Sequence, residues 1–127
     1  MGRKVHVIRF AIVSDTHLGS LYEALDELND FYDEVLRRNI RNVYHAGDLT
    51  DGYDVYRGHE FELKVHGFEE MLEYAAKNYP KREGIKTWYI AGNHDYSFYK
   101  KVGADILDAL NRERDDMVYP VSYTHLT

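Results

Sequence analysis

One pattern constrains the fold more than any other, and it recurs three times along the chain. A short run rich in β-branched and apolar residues stops at a cluster of chemically active ones. Residues 5–13 end at Ser14-Asp15-Thr16-His17, residues 42–45 at Ala46-Gly47-Asp48, and residues 87–91 at Gly92-Asn93-His94-Asp95. Such runs read as buried strands. Between the first two, Leu21, Leu25, Leu28, Tyr32, Val35 and Leu36 recur at three- and four-residue steps, which predicts an amphipathic helix over 21–39. A glycine-containing loop over 51–58 precedes a second predicted helix, 60–79, with Val65, Phe68, Leu72, Ala75 and Tyr79 on one face and Pro80 as its stop. A third helix is expected over 104–112, and 117–119 is read as the start of a fourth strand. Strands alternating with helices call for right-handed crossovers and a mainly parallel sheet. Ligands gather at the carboxyl ends of such strands. The polar clusters are therefore expected to converge on one edge of one sheet.

Composition narrows the chemistry at that edge. The 127 residues include no cysteine, which excludes disulfide frameworks, thiolate metal sites and thiol nucleophiles together. A metal would have to be held by His, Asp, Glu or Asn, and 7 histidines and 22 acids supply ample material. The formal charge of −6 argues against a surface that clings as a whole to phosphate backbones or anionic lipid, though a local basic patch is compatible with it. No stretch approaches the ~20 apolar residues that a bilayer requires. The opening 1–13 has Arg9 in its apolar run and no small-residue cleavage site. A cytoplasmic protein without a membrane partner is the expectation.

Asp15 and His17 are one residue apart, so at an extended strand end their side chains point the same way. A carboxylate and an imidazole side by side suit Mn, Fe or Zn. Asp48 follows Gly47, where the backbone can turn tightly, and its two oxygens can bridge two cations. Asn93 offers a neutral amide oxygen, and His94 beside it could give a proton to a leaving alkoxide, with Asp95 orienting the ring. Two metals about 3.5–4 Å apart can clamp a phosphate and lower the pKa of a water.

Asp15-Thr16-His17, Gly47-Asp48-Leu49-Thr50-Asp51 and Gly92-Asn93-His94-Asp95 resemble, in order, the first three signature motifs of calcineurin-like metallophosphoesterases, over Val7 to about Asp95. The resemblance implies two divalent metals, Mn expected with Fe or Zn as alternatives, bridged by Asp48, with Asp15 and His17 on one and Asn93 on the other. It implies His94 as general acid partnered by Asp95, and it leaves Asp51 to shape the loop. The implied activity is hydrolysis of a phosphoester substrate by a metal-activated water, in a phosphodiesterase or phosphatase. A nuclease of the double-strand-break-repair type, with nucleic acid as partner, is an alternative, as is a non-catalytic scaffold with the same fold. Ser/Thr protein phosphatases fit less well, because Gly52 stands where they carry Arg and Asp95 where they carry Glu.

The family adds a lone His and a Gly-His-x-His motif downstream, and nothing after Asp95 matches them. The implied fold class is α/β: the N-terminal βαβαβ portion of a four-layer α/β/β/α metallophosphoesterase fold, cut before its second sheet is complete. The segment 121–127, VSYTHLT, resembles an in-frame translation of a sequencing-adapter transposon end. Residues 1–120 are therefore expected to be part of one domain, with 121–127 as a foreign tail. The fragment as written is expected to be a poor enzyme.

Other candidates receive plainer readings. His45 is expected to line the sheet edge, His6 to lie on the surface, and His59 and His66 to be solvated or packed on one helical face. Tyr53, Tyr56, Tyr96, Phe98 and Tyr99 could stack on a base, with Arg57, Lys100 and Lys101 near phosphates. Packing at the rim of the site is the preferred reading of these aromatics.

Overall fold

The structure is a computed structural model that describes residues 5–120. Four parallel strands, β1 (Ala11–Val13), β2 (Asn42–His45), β3 (Lys86–Tyr89) and β4 (Met117–Val118), lie side by side in sequence order. The helices are α1 (Leu25–Arg37), α2 (Phe68–Asn78), α3 (Asn93–Val102) and α4 (Ile106–Glu113). A parallel sheet that grows in one direction by right-handed crossovers must carry its connecting helices on one face. That face bears Val43, His45, Thr87, Tyr89 and Met117, all buried. Phe10, Ile12, Tyr44 and Ile90 are exposed on the opposite face, which is bare of helices among the described residues. The fold is α/β with a parallel sheet, as expected, and the described residues hold the first sheet of the anticipated four-layer arrangement. The expected foreign tail, 121–127, lies outside the described residues.

The elements depart from the expectation where backbone groups find other partners. A strand persists only where a neighbour takes its N–H and C=O groups. The register pairs Ala11–Val13 with Val43–His45, so the predicted strand 5–13 shrinks to three residues. The first turn expected of α1 is loop, in which Leu21 N–H donates to Glu62 O at 2.8 Å. The predicted helix 60–79 breaks where an interior N–H finds another acceptor. His59–Glu62 forms a 3-10 turn, Lys64 N–H donates to Gly19 O at 2.7 Å, and only from Phe68 does α2 run on. Helix α3 was not anticipated. It begins inside the third polar cluster, where the Asp95 carboxylate reaches back to Gly92 N–H at 3.1 Å, and that cluster reads as a loop in sequence. No helix among the described residues is long and apolar enough to cross a membrane.

Helix α1 presents Leu28, Tyr32 and Val35 to the sheet at four- and three-residue steps. The Tyr32 hydroxyl lies 2.7 Å from the Tyr79 hydroxyl and 2.6 Å from Thr87 Oγ1, tying α1, the end of α2 and β3 together in the core. Burial pushes the Tyr32 phenol up to about 12, so this hydroxyl keeps its proton and the network stays neutral. Replacing Tyr32 by Phe leaves two buried hydroxyls short of a partner. Urea denaturation of Tyr32→Phe is expected to show a loss of about 1–3 kcal/mol, and an unchanged midpoint would refute the network's contribution.

Candidate metal centre

The loop after β1 is joined to the loop after β2 by backbone hydrogen bonds that continue past the strand ends. Asp15 N–H donates to Gly47 O at 2.9 Å, His17 N–H to Asp48 O at 3.0 Å, Leu18 N–H to Leu49 O at 2.9 Å, and Asp51 N–H to Leu18 O at 2.9 Å. This zipper requires an uncommon backbone. Asp15, His17 and Asp48 have φ of 56°, 45° and 56°, a region that costs a non-glycine residue about 1–2 kcal/mol. The expected extended arrangement at Asp15 and His17 is thus corrected: the loop is left-handed because the carbonyls of Gly47 and Asp48 claim its N–H groups. The side chains still converge. His17 Nε2 lies 3.4 Å from Asp15 Oδ1 and 3.9 Å from Asp48 Oδ2.

Asp48 is aimed by the third loop. His94 N–H donates to Asp48 Oδ1 at 2.9 Å, and a Cβ at position 92 would overlap that same oxygen, so only glycine fits there. Asp15, His17 and Asp48 form one group whose ligand atoms lie within 4.8 Å of one another. His17, Asp51 and His94 form a second group on the same criterion. Among the described residues, no lysine or arginine pairs with Asp15, Asp48 or Asp51. A cluster of carboxylate oxygens and imidazole nitrogens without a cation of its own fits a borderline divalent metal. A cleft of about 520 Å³, lined by Asp15, His17, Tyr22, Phe31, Asp51 and Tyr56, opens beside the first group. Asn93 opens α3, is exposed, and lines a separate depression with Asp54, Tyr96, Lys100 and Lys101.

Two sequence expectations are corrected here. Asp95 does not face the His94 ring. Its buried carboxylate accepts from Leu49 N–H at 3.1 Å, Thr50 N–H at 2.8 Å, Thr50 Oγ1 at 2.8 Å and Gly92 N–H at 3.1 Å. Burial pushes its pKa up to about 6, and the N–H donors of Thr50, Gly92 and Leu49 pull the other way. The partner of His94 is Asp51: His94 Nδ1 lies 2.7 Å from the Asp51 carbonyl and 3.4 Å from Asp51 Oδ1. His59 is packed, one of its two expected roles, but not on a helical face shared with His66. It is fully buried, with Nε2 2.9 Å from Asp51 Oδ2. Its seven-residue spacing from exposed His66 would signify a shared face only on an unbroken helix, and residues 63–67 break it.

The electrostatics follow from these contacts. The Ser14 hydroxyl, opposed by slight burial and aided by His17, holds Asp15 below the usual carboxylate range. The Asp51 hydrogen bond raises His17 above its ordinary value against its partial burial. Burial alone would raise Asp51, but His17 and His59 bring it below normal. His45 ends β2 at the sheet's carboxyl edge, as expected, and lies against the first loop. Its Nδ1 accepts Gly47 N–H at 3.2 Å, which leaves the proton on Nε2, facing Thr16 Oγ1 at 2.9 Å; that hydroxyl donates onward to Leu49 O at 3.0 Å. The aromatics pack, as preferred: Tyr53 stacks on Phe98 at 6.1 Å, and Phe98 meets Phe68 edge-on at 5.7 Å. Lys101 pairs with Asp54 at 3.4 Å.

Comparison with known proteins adds two findings. The family described as calcineurin-like phosphoesterase matches residues 8–125. The chain is 35% identical over 99 residues to the DNA polymerase II small subunit of Methanothermobacter thermautotrophicus, covering 68% of this chain and 20% of that protein. It is 30% identical over 109 residues to the protein of the same name from Archaeoglobus fulgidus, covering 74% and 22%. The chain spans about a fifth of the length of these curated relatives.

Two outcomes test this geometry. An amide at position 95 would turn its NH2 toward at least one N–H donor, so Asp95→Asn is expected to lower stability by about 2–4 kcal/mol in chemical denaturation. A stability equal to wild type would contradict the structural role of Asp95. Burial depresses His45 from 6.5 to about 4, so the unfolded chain binds the extra proton first. Stability from His45 is complete above pH 6.5 and is lost as pH falls toward 4, by about 3 kcal/mol in all. Asp95 acts oppositely, losing stability as pH rises from 3.8 to about 6. The clean readout is therefore the difference between wild type and His45→Asn, which should narrow steadily as pH falls through that window. A constant difference would be the contrary result.

Proposed function

Because this chain belongs to the calcineurin-like phosphoesterase family, we propose that it is the metal-holding part of a phosphodiesterase that cleaves DNA strands. The similarity to proteins named DNA polymerase II small subunit favours nucleic acid over a small phosphomonoester. It also favours a whole protein that works beside a polymerase subunit. The observation that carries the hydrolase reading is the donor group Asp15, His17 and Asp48, all three on left-handed backbone. Backbone strain held by surrounding contacts concentrates at functional sites.

In this reading Asp15, His17 and Asp48 hold a divalent cation, Mn expected, and Asn93, which lies outside that group, is a ligand of a second. Bound there, the cations supply positive charge that clamps a phosphate and acidifies a water. The remaining work belongs to the protein. His94 donates Nδ1–H to the Asp51 carbonyl at 2.7 Å, which fixes the ring and leaves Nε2 to deliver a proton to the leaving oxygen. The Asp51 carboxylate, 3.4 Å away, stabilises the charged ring before that transfer. Asp95 holds the loops that carry these groups and touches no reacting atom. Residues 1–120 are read as part of one domain.

The test is Mn²⁺-dependent hydrolysis of single-stranded DNA and of bis(p-nitrophenyl) phosphate by the complete protein that carries this chain. His94→Asn is expected to lower kcat by roughly 10²–10⁴-fold with Mn²⁺ binding retained. Asp48→Asn is expected to abolish Mn²⁺ binding itself. A folded protein that binds Mn²⁺ and hydrolyses neither substrate would overturn the reading.

A further inference from the structure

His59 is fully buried and eight residues beyond Asp51, in the loop that returns toward the site. Its hydrogen bonds settle where its proton sits. Val55 N–H can only donate, and it lies 3.1 Å from His59 Nδ1, so that nitrogen carries the lone pair. The proton is then on Nε2, 2.9 Å from Asp51 Oδ2. The other oxygen of the same carboxylate lies 3.0 Å from His17 Nδ1, and a carboxylate can only accept, so His17 carries its proton there. That directs the His17 Nε2 lone pair toward the carboxylates of Asp15 and Asp48, at 3.4 and 3.9 Å. Tyr56 covers the arrangement, its ring stacked on His59 at 4.5 Å.

We propose that His59 is a positioning residue: by holding Asp51 Oδ2, it sets the carboxylate that fixes the tautomer and direction of His17. The inference rests on the reading of His17 as a metal ligand and extends it to a residue that touches neither metal nor substrate. Without His59, Asp51 Oδ2 would be buried with no donor. The carboxylate would turn toward the nearby His94 Nδ1, now 3.4 Å from Oδ1, and release His17. Partners that orient a ligating imidazole are typically worth about 10–100-fold in metal affinity.

The test compares two amides that copy opposite halves of the imidazole. Asparagine can accept from Val55 N–H but does not reach Asp51, whereas glutamine can carry a donor to the Nε2 position. Imidazole ¹⁵N spectra are recorded on the metal-free chain, at a pH well above the histidine range so that the rings are neutral. Wild type is expected to show protonated Nδ1 at His17 and protonated Nε2 at His59. His59→Asn is expected to lose the His17 signature and to weaken Mn²⁺ binding about 10–100-fold, and His59→Gln to restore both. An unchanged His17 spectrum in His59→Asn, or a His59→Gln protein as impaired as His59→Asn, would overturn the proposal. So would the opposite tautomer at either histidine in wild type, a result that needs no variant to fold. The tautomers are read without metal or substrate, so their failure and a failure of hydrolysis are separate results.

Discussion

A buried carboxylate, that of Asp95, accepts hydrogens from Leu49, Thr50 and Gly92 and so ties the loop after β2 to the start of α3. Each of those N–H groups sits where a strand has ended and no ladder partner remains. With the carboxylate in place, the second and third loops move as one unit. Gly92 then lies against Asp48, and His94 N–H meets the Asp48 carboxylate. The first loop joins through the zipper from Asp15 to Leu18. A sheet whose strands all run parallel brings these loops to one edge, but it does not lock them together. Asp95 and the zipper do that, and the left-handed residues are the consequence.

Asp51 is a second, more local junction. It shares its carboxylate between His17 and His59 and offers its carbonyl to His94. An anion between imidazoles keeps their protons on chosen nitrogens, which is a directional effect more than an energetic one. Gly52 follows at φ 79°, where a Cβ would overlap the His94 carbonyl, so the chain can turn away from Asp51 only with glycine there. The close contact between the second and third loops thus depends on glycine from both sides, Gly92 against Asp48 and Gly52 against His94.

The strand-helix alternation, the parallel sheet and the gathering of Asp15, His17 and Asp48 were legible because each rests on local periodicity or on a strand end. What stayed hidden depends on partners distant in sequence. Nothing near Leu21 or Lys64 announces that their N–H groups bond to Glu62 and Gly19 instead of extending helices. Asp95 follows His94, and adjacency suggested a pair. Its inward turn is set by Leu49 and Thr50, more than 40 residues earlier. His59 was misread for a related reason. Its helical spacing from His66 carried weight only while the helix was taken as continuous. The glycine at 67, inside the predicted helix, was the available signal of a break.

The acids of the site are graded from wet to dry. The Asp15 side chain is 64% exposed, those of Asp48 and Asp51 only 14% and 8%. An exposed carboxylate keeps its charge through water, whereas a buried one needs protein donors. Asp48 has His94 N–H, and Asp51 has two imidazoles. The inner acids therefore have partners that hold them still, and the outer one can exchange water for another ligand at little cost. Asp15 borders the cleft that also exposes His17. On the proposed reading, Asp15 would be the ligand of a bound cation with the least protein contact to give up. The frame beneath it is already set by Asp51, His59 and Asp95.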